Sequence, residues 1–91
     1  EIITKPLIFE GGKLCLNFSS SAAGEILAEI EDINGNPVEN YSLEDCSPVF
    51  GDSLERAVTW KTGSDLSSLA GKPVRIRFVI KDADLFSFRF K

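Results

Sequence analysis

Residues 74–90 read VRIRFVIKDADLFSFRF, and their apolar and polar side chains alternate almost without a break. Val74, Ile76, Phe78 and Ile80 take one parity and Arg75, Arg77 and Lys81 the other, the two-residue period of a strand with one wet face. A helix drawn through the same residues would carry those charges into its own core. Phe86, Phe88 and Phe90 extend the inward set and Ser87 and Arg89 the outward one, with Asp82-Ala83-Asp84 between them as a short reversal. The stretch therefore predicts a hairpin of two amphipathic strands, and a chain that carries it must supply a core for that hairpin to cover.

The same period runs through the rest of the chain. Leu14, Leu16 and Phe18 form one inward set and Ile26, Ala28 and Ile30 another, with SSSAAG at 19–24 read as a loop tip. Gly11-Gly12 suits a two-residue hairpin turn between KPLIFE and KLCLNFS, and NGNP at 34–37 is a strong turn signal. VENYSLED and LERAVTWK add two further strands. One stretch departs from the period: GSDLSSLAGKP offers Ser64 or Asp65 as a cap, one turn carrying Leu66 and Leu69, and Gly71 as terminator. The expected fold is all-β, an antiparallel β-sandwich of Greek-key or jelly-roll type with about seven or eight short strands and one helical turn near 65–70.

Ninety-one residues make one domain, 1–91, with a single core. No methionine occurs and apolar sequence begins at once, which suggests a segment cut from the C-terminal end of a longer polypeptide. A net charge of −4 with ten scattered basic residues argues against nucleic acid and against an anionic membrane as partners. No apolar run approaches the roughly 18 residues of a membrane span. Two cysteines, Cys15 and Cys46, are too few for a disulfide framework and read as small hydrophobes with free thiols.

The absence of histidine removes Ser-His-Asp and Cys-His chemistry and the usual proton shuttle. Carboxylates remain, but Glu10, Glu44, Asp45, Asp52, Asp82 and Asp84 fall at strand ends and turns, where capping and solvation account for them, so no catalytic residue is assigned. No cofactor is expected. Calcium is the one metal with a case, with Glu10, Asp82 and Asp84 as candidate ligands between strand ends, although no EF-hand-type spacing occurs. Trp60 and Tyr41 are the aromatic rings a carbohydrate-binding surface would use, yet Trp60 shares its parity with Val58, which places it in the core instead.

Taken in order, GEILAEIEDINGNPV, YSLEDCSPVFGD, VTWKTGSDLSSLAGKPVRIRF and DADLFSF resemble the C-terminal β-sandwich domain appended to bacterial glycoside-hydrolase-like proteins, especially those related to the family-32 and family-43 propeller enzymes of planctomycetes. The resemblance runs from about Lys5 to Phe90. It implies a non-catalytic accessory domain of a secreted protein, extracellular or periplasmic, whose partner is the catalytic propeller of the same polypeptide. An autonomous carbohydrate-binding module that takes polysaccharide is the alternative, and a small carboxylate-dependent enzyme a third reading. Similar sequences often carry an aliphatic residue at the place of Cys15, which speaks against a bridge to Cys46. Leu27 and Val79, apolar at outward parity, are expected to form a docking face with Ile8, and Leu85 breaks the polar-out rule in the same way.

Overall fold

The computed structural model describes all 91 residues and is all-β, with one four-stranded antiparallel sheet and a single 3-10 turn. The strands are β1 (Ile2–Ile3), β2 (Leu14–Glu31), β3 (Asp52–Ala57) and β4 (Arg75–Phe90), in the spatial order β1-β4-β2-β3. Four strands, two of them very long, thus stand where the alternation suggests seven or eight short ones. The 3-10 turn, Ser67–Leu69, lies where it is expected: Asp65 Oδ1 accepts the Ser67 amide at 2.9 Å, Leu66 is fully buried, and Gly71 leaves the turn at a φ of +82°.

Long β2 and β4 pair from Leu14↔Phe90 to Glu31↔Arg75. Sixteen residues of straight strand would reach about 50 Å, yet the longest dimension of the molecule is 35 Å. The rings of Phe78 and Phe88, ten residues apart on β4, lie with centroids 5.3 Å apart. The two-stranded ribbon is therefore bent over on itself, and its two arms close on a common core. The bend falls between the pairs Ser20↔Ala83 and Glu25↔Lys81, where β2 advances five residues while β4 advances two. The surplus on β2 forms the outer curve. Gly24 makes the turn sterically feasible, because a Cβ at that position would collide with the carbonyl oxygen of Asp82, itself at a φ of +47°.

This geometry corrects several readings of the sequence. Asp82-Ala83-Asp84 does not reverse the chain between two hairpin strands, and Ser19–Gly24 is no free loop tip; both lie within continuous strands, at the bend. Gly11-Gly12 is not a hairpin turn either. Leu7 bridges Val74 and Gly12 donates to the Lys91 carbonyl at 2.7 Å, so these residues carry the chain from one arm to the other. Gly11 takes a φ of +110° with Lys91 packed against it, a place without room for a side chain.

Residues 38–45 form turns instead of a strand. The outward backbone groups of β2 at Ile26, Ala28 and Ile30 are nevertheless satisfied. Ile26 exchanges hydrogen bonds with Val49, and Ile30 with Tyr41 and Val38. At Ala28 two side chains take over: its amide donates to Cys46 Sγ at 3.4 Å and its carbonyl accepts from Trp60 Nε1 at 2.9 Å. The core between the arms holds Leu14, Leu16 and Phe18 from one end of β2 and Ile26, Ala28 and Ile30 from the other. Ile76 and Phe78 of β4 join them, and Phe9, Val49, Val58, Trp60, Leu66 and Val74 close its sides. Burying each of the larger side chains contributes about 1.5–3 kcal/mol relative to exposure.

Candidate functional site

Trp60 is 2% exposed and turns no ring face to solvent. Tyr41 is half-buried, sits edge-on to Trp60 with centroids 5.5 Å apart, and donates its hydroxyl to the Asp65 carbonyl at 2.8 Å. The pair is a packing element that locks the 38–49 segment to the 3-10 turn; it is not a sugar-stacking platform. Sequence parity places Trp60 correctly, in the core, with Tyr41 packed edge-on against it.

The three candidate calcium ligands do not converge. Asp82 and Asp84 sit at the bend, whereas Glu10 adjoins the glycines that pack on Lys91, at the far end of the same arm. Seven residues of strand, about 23 Å, separate Asp84 from Lys91. No group of three or more acidic or thiol side chains is placed to hold a metal ion. Cys15 and Cys46 are both buried, unpaired thiols.

Leu27 and Val79 are direct cross-strand partners on the outward side of one arm, as a shared face requires. Both are half-buried, and Leu27 packs against the core, so the pair is not bare. Ile8 is 66% exposed but belongs elsewhere: its neighbour Leu7 pairs with Val74, five residues, or about 16 Å, along β4 from Val79. The expected docking face of Leu27, Val79 and Ile8 is not one patch.

Exposed apolar side chains stand on both arms, Ile2, Ile3 and Ile33 among them, and the most exposed, Leu54, has Phe86 beside it on the other arm. Between the pairs Asn17↔Ser87 and Phe18↔Leu85, β4 carries one extra residue, Phe86. This bulge reverses the parity of the stretch between it and the bend, so Leu85 and Ala83 turn inward against the core and Phe86 turns out. Phe86 is 64% exposed and Leu54 of β3 is 85% exposed. Both line one shallow depression of about 370 Å³, with Asn17, Ser19, Asp52 and Ser53 as its polar surroundings. Ser19 donates to Asp52 at 2.7 Å, which holds β2 and β3 together at its rim. Leu54 was legible as an anomaly, since it shares its parity with Asp52 and Arg56; Phe86 was not, because nothing local announces the bulge.

A second constellation, also missed, lies on the outward side of the arm that carries Leu27. Glu29 and Glu31 of β2 face Arg77 and Arg75 of β4 in register, and both residues are buried at 4% exposure. Glu29 Oε1 accepts the Leu43 amide at 3.1 Å, while Oε2 has no hydrogen-bond partner and lies 3.8 Å from Arg77 Nη1. Arg77 directs Nε and Nη2 to the Glu1 carboxylate, and Arg75 Nε donates to the Ile33 carbonyl at 3.3 Å. Burial, then the adjacent Glu29 carboxyl, pushes Glu31 up to about 7, against the opposing pull of the two arginines. Glu31, Arg75 and Arg77 line an open cleft of about 340 Å³ together with Ile3, Ile33, Asn34 and Gly35. The signal was present in the complementary spacing of Glu29-x-Glu31 and Arg75-x-Arg77 at outward parity.

Compared with models of known protein families, with curated proteins and with solved structures, the chain matches none of them.

Proposed function

We propose that the chain is a non-catalytic accessory domain of a secreted, carbohydrate-active bacterial protein, and that it packs against the catalytic propeller of the same polypeptide. The observation that carries this reading is the juxtaposition of Leu54 and Phe86, two large apolar side chains standing in solvent along one depression whose other walls are Phe18, Asn17, Ser19, Asp52 and Ser53. Leaving two such residues exposed forgoes about 1.5–3 kcal/mol apiece, and adjacent apolar residues ringed by small polar ones have the composition of an interface centre with its rim.

The identity of the partner rests on the likeness of the four sequence segments to modules that follow propeller enzymes. A two-layered sandwich of Greek-key or jelly-roll type belongs to the same proposal, and the folding of one ribbon into two facing arms supports the two layers. An extracellular or periplasmic address goes with it. The lack of histidine and the core position of Trp60 favour a supporting role over catalysis or sugar stacking.

Amide chemical-shift mapping tests the reading: the labelled chain is titrated with the propeller domain produced separately. Perturbations centred on Leu54, Phe86, Asn17 and Ser19 are expected. Perturbations confined to the opposite arm, or none at millimolar concentration, would refute it.

A further inference from the structure

Glu29 and Glu31 lie two residues apart on one face of β2, and the buried Oε2 of Glu29 lacks a donor. Arg77 Nη1 lies 3.8 Å from that oxygen, an ion pair but beyond hydrogen-bond reach. On β4, Arg77 is held by Glu1 through Nε and Nη2, and Arg75 Nε bonds the Ile33 carbonyl. In the 32–36 turn, Asp32 accepts the amides of Asn34 and Asn36. In the covering segment, Asp45 accepts the amide and hydroxyl of Ser42, and Glu44 is exposed. With Arg77 Nη1 held beyond hydrogen-bond reach, the neighbouring Glu31 carboxyl is a second group able to serve Glu29 Oε2, and it can do so only while protonated. Glu29 in turn tethers the covering segment, because its Oε1 holds the Leu43 amide.

We propose that Glu29 and Glu31 share one proton and form a pH-sensitive latch, which holds the 41–45 segment against the sheet and releases it when that proton is lost. In the closed state a protonated Glu31, on the wall of the open cleft, donates to the enclosed Oε2 of Glu29, a charge-assisted bond. Loss of the proton leaves two adjacent anions with one orphan acceptor; the cleft brings water to Glu31, but Glu29 does not line it, so water reaches Glu29 by lifting Leu43 off it. The high Glu31 pKa places the change near neutral pH. Tyr41 stays anchored through the Asp65 carbonyl, so opening is confined to the few residues after it.

The test is native-state amide exchange at pH 6 and pH 8, expressed as protection factors so that the intrinsic rate change is removed. The Leu43 amide should lose about tenfold or more of its protection, whereas Ile26 in the core should not change. Glu31→Gln keeps a donor at every pH and should abolish the pH dependence of Leu43. Equal protection of Leu43 at both pH values, a uniform change across all amides, or an unchanged pH profile in the variant would each overturn the latch. Should the variant fail to fold, carboxyl carbon titration of the wild type decides: a Glu31 midpoint near the ordinary 4.5 contradicts the shared proton, and one near neutral supports it.

Discussion

The indole Nε1–H of Trp60 donates to the carbonyl oxygen of Ala28 at 2.9 Å inside the core, joining two residues 32 positions apart. This bond does for β2 what a neighbouring strand would otherwise do. With the Cys46 thiol on the Ala28 amide, it allows the 38–49 segment to remain irregular without leaving buried backbone groups unpaired.

Trp60 therefore contributes volume and a donor, and the two are separable. Trp60→Ala should cost about 3–5 kcal/mol in denaturant unfolding, the range for a buried aromatic. Trp60→Phe keeps most of the volume but strands the Ala28 carbonyl, and should cost about 1–3 kcal/mol. A wild-type midpoint in the phenylalanine variant would show that the bond carries nothing.

The bend of the ribbon depends on Gly24 more than on the glycines of the turns. Gly24→Ala drives a Cβ into the Asp82 carbonyl, backbone that cannot move without opening the β2–β4 ladder, whereas Gly35, at a φ of +85°, has open space around it. Thermal unfolding should show Gly24→Ala to be several-fold more destabilising than Gly35→Ala, whose cost is limited to backbone strain of about 1 kcal/mol. Equal losses would mean that the bend tolerates a side chain.

The core sets and the 3-10 turn were legible in the sequence, because burial of Ile26, Ala28, Ile30, Ile76 and Phe78 follows from alternation alone. The strand count was not. A ribbon bent on itself shows the same alternation as two separate hairpins, and Asp82-Ala83-Asp84 has turn chemistry whether the chain reverses there or only bends. Parity also fails beyond a bulge, which is why Leu85 and Phe86 exchange places. The acid and arginine rows were visible as complementary charges, but the covering of Glu29 comes from Leu43, fourteen residues on, a contact no local pattern encodes.

Stability should fall as pH rises through neutrality. Glu31 is raised to about 7 from an ordinary 4.5, so between these values the folded chain binds more protons than the unfolded one. Its contribution is complete below about 4.5 and is lost as pH climbs through about 7. Melting temperatures from pH 5 to pH 8 should decline for the wild type and stay nearly level for Glu31→Gln. Parallel curves would assign the dependence to other groups.

Both thiols should resist modification in the native state. Cys15 and Cys46 are buried, and burial pushes the Cys46 thiol up, which keeps it protonated and unreactive. Alkylation without reductant should give no rapid adduct on the folded chain and two after unfolding, read by mass spectrometry. Failure to find two in the unfolded chain would contradict the free-thiol state.

The docking role stands or falls on Leu54 and Phe86. Calorimetric titration of the separately produced propeller domain with the wild-type chain and with the Leu54→Glu, Phe86→Glu double variant measures it directly, with melting temperature as the folding control. Saturable binding by the wild type, weakened by about tenfold or more in a variant that melts as the wild type does, is the predicted result. Equal binding by both chains, or heat of mixing no greater than dilution for either, would contradict it.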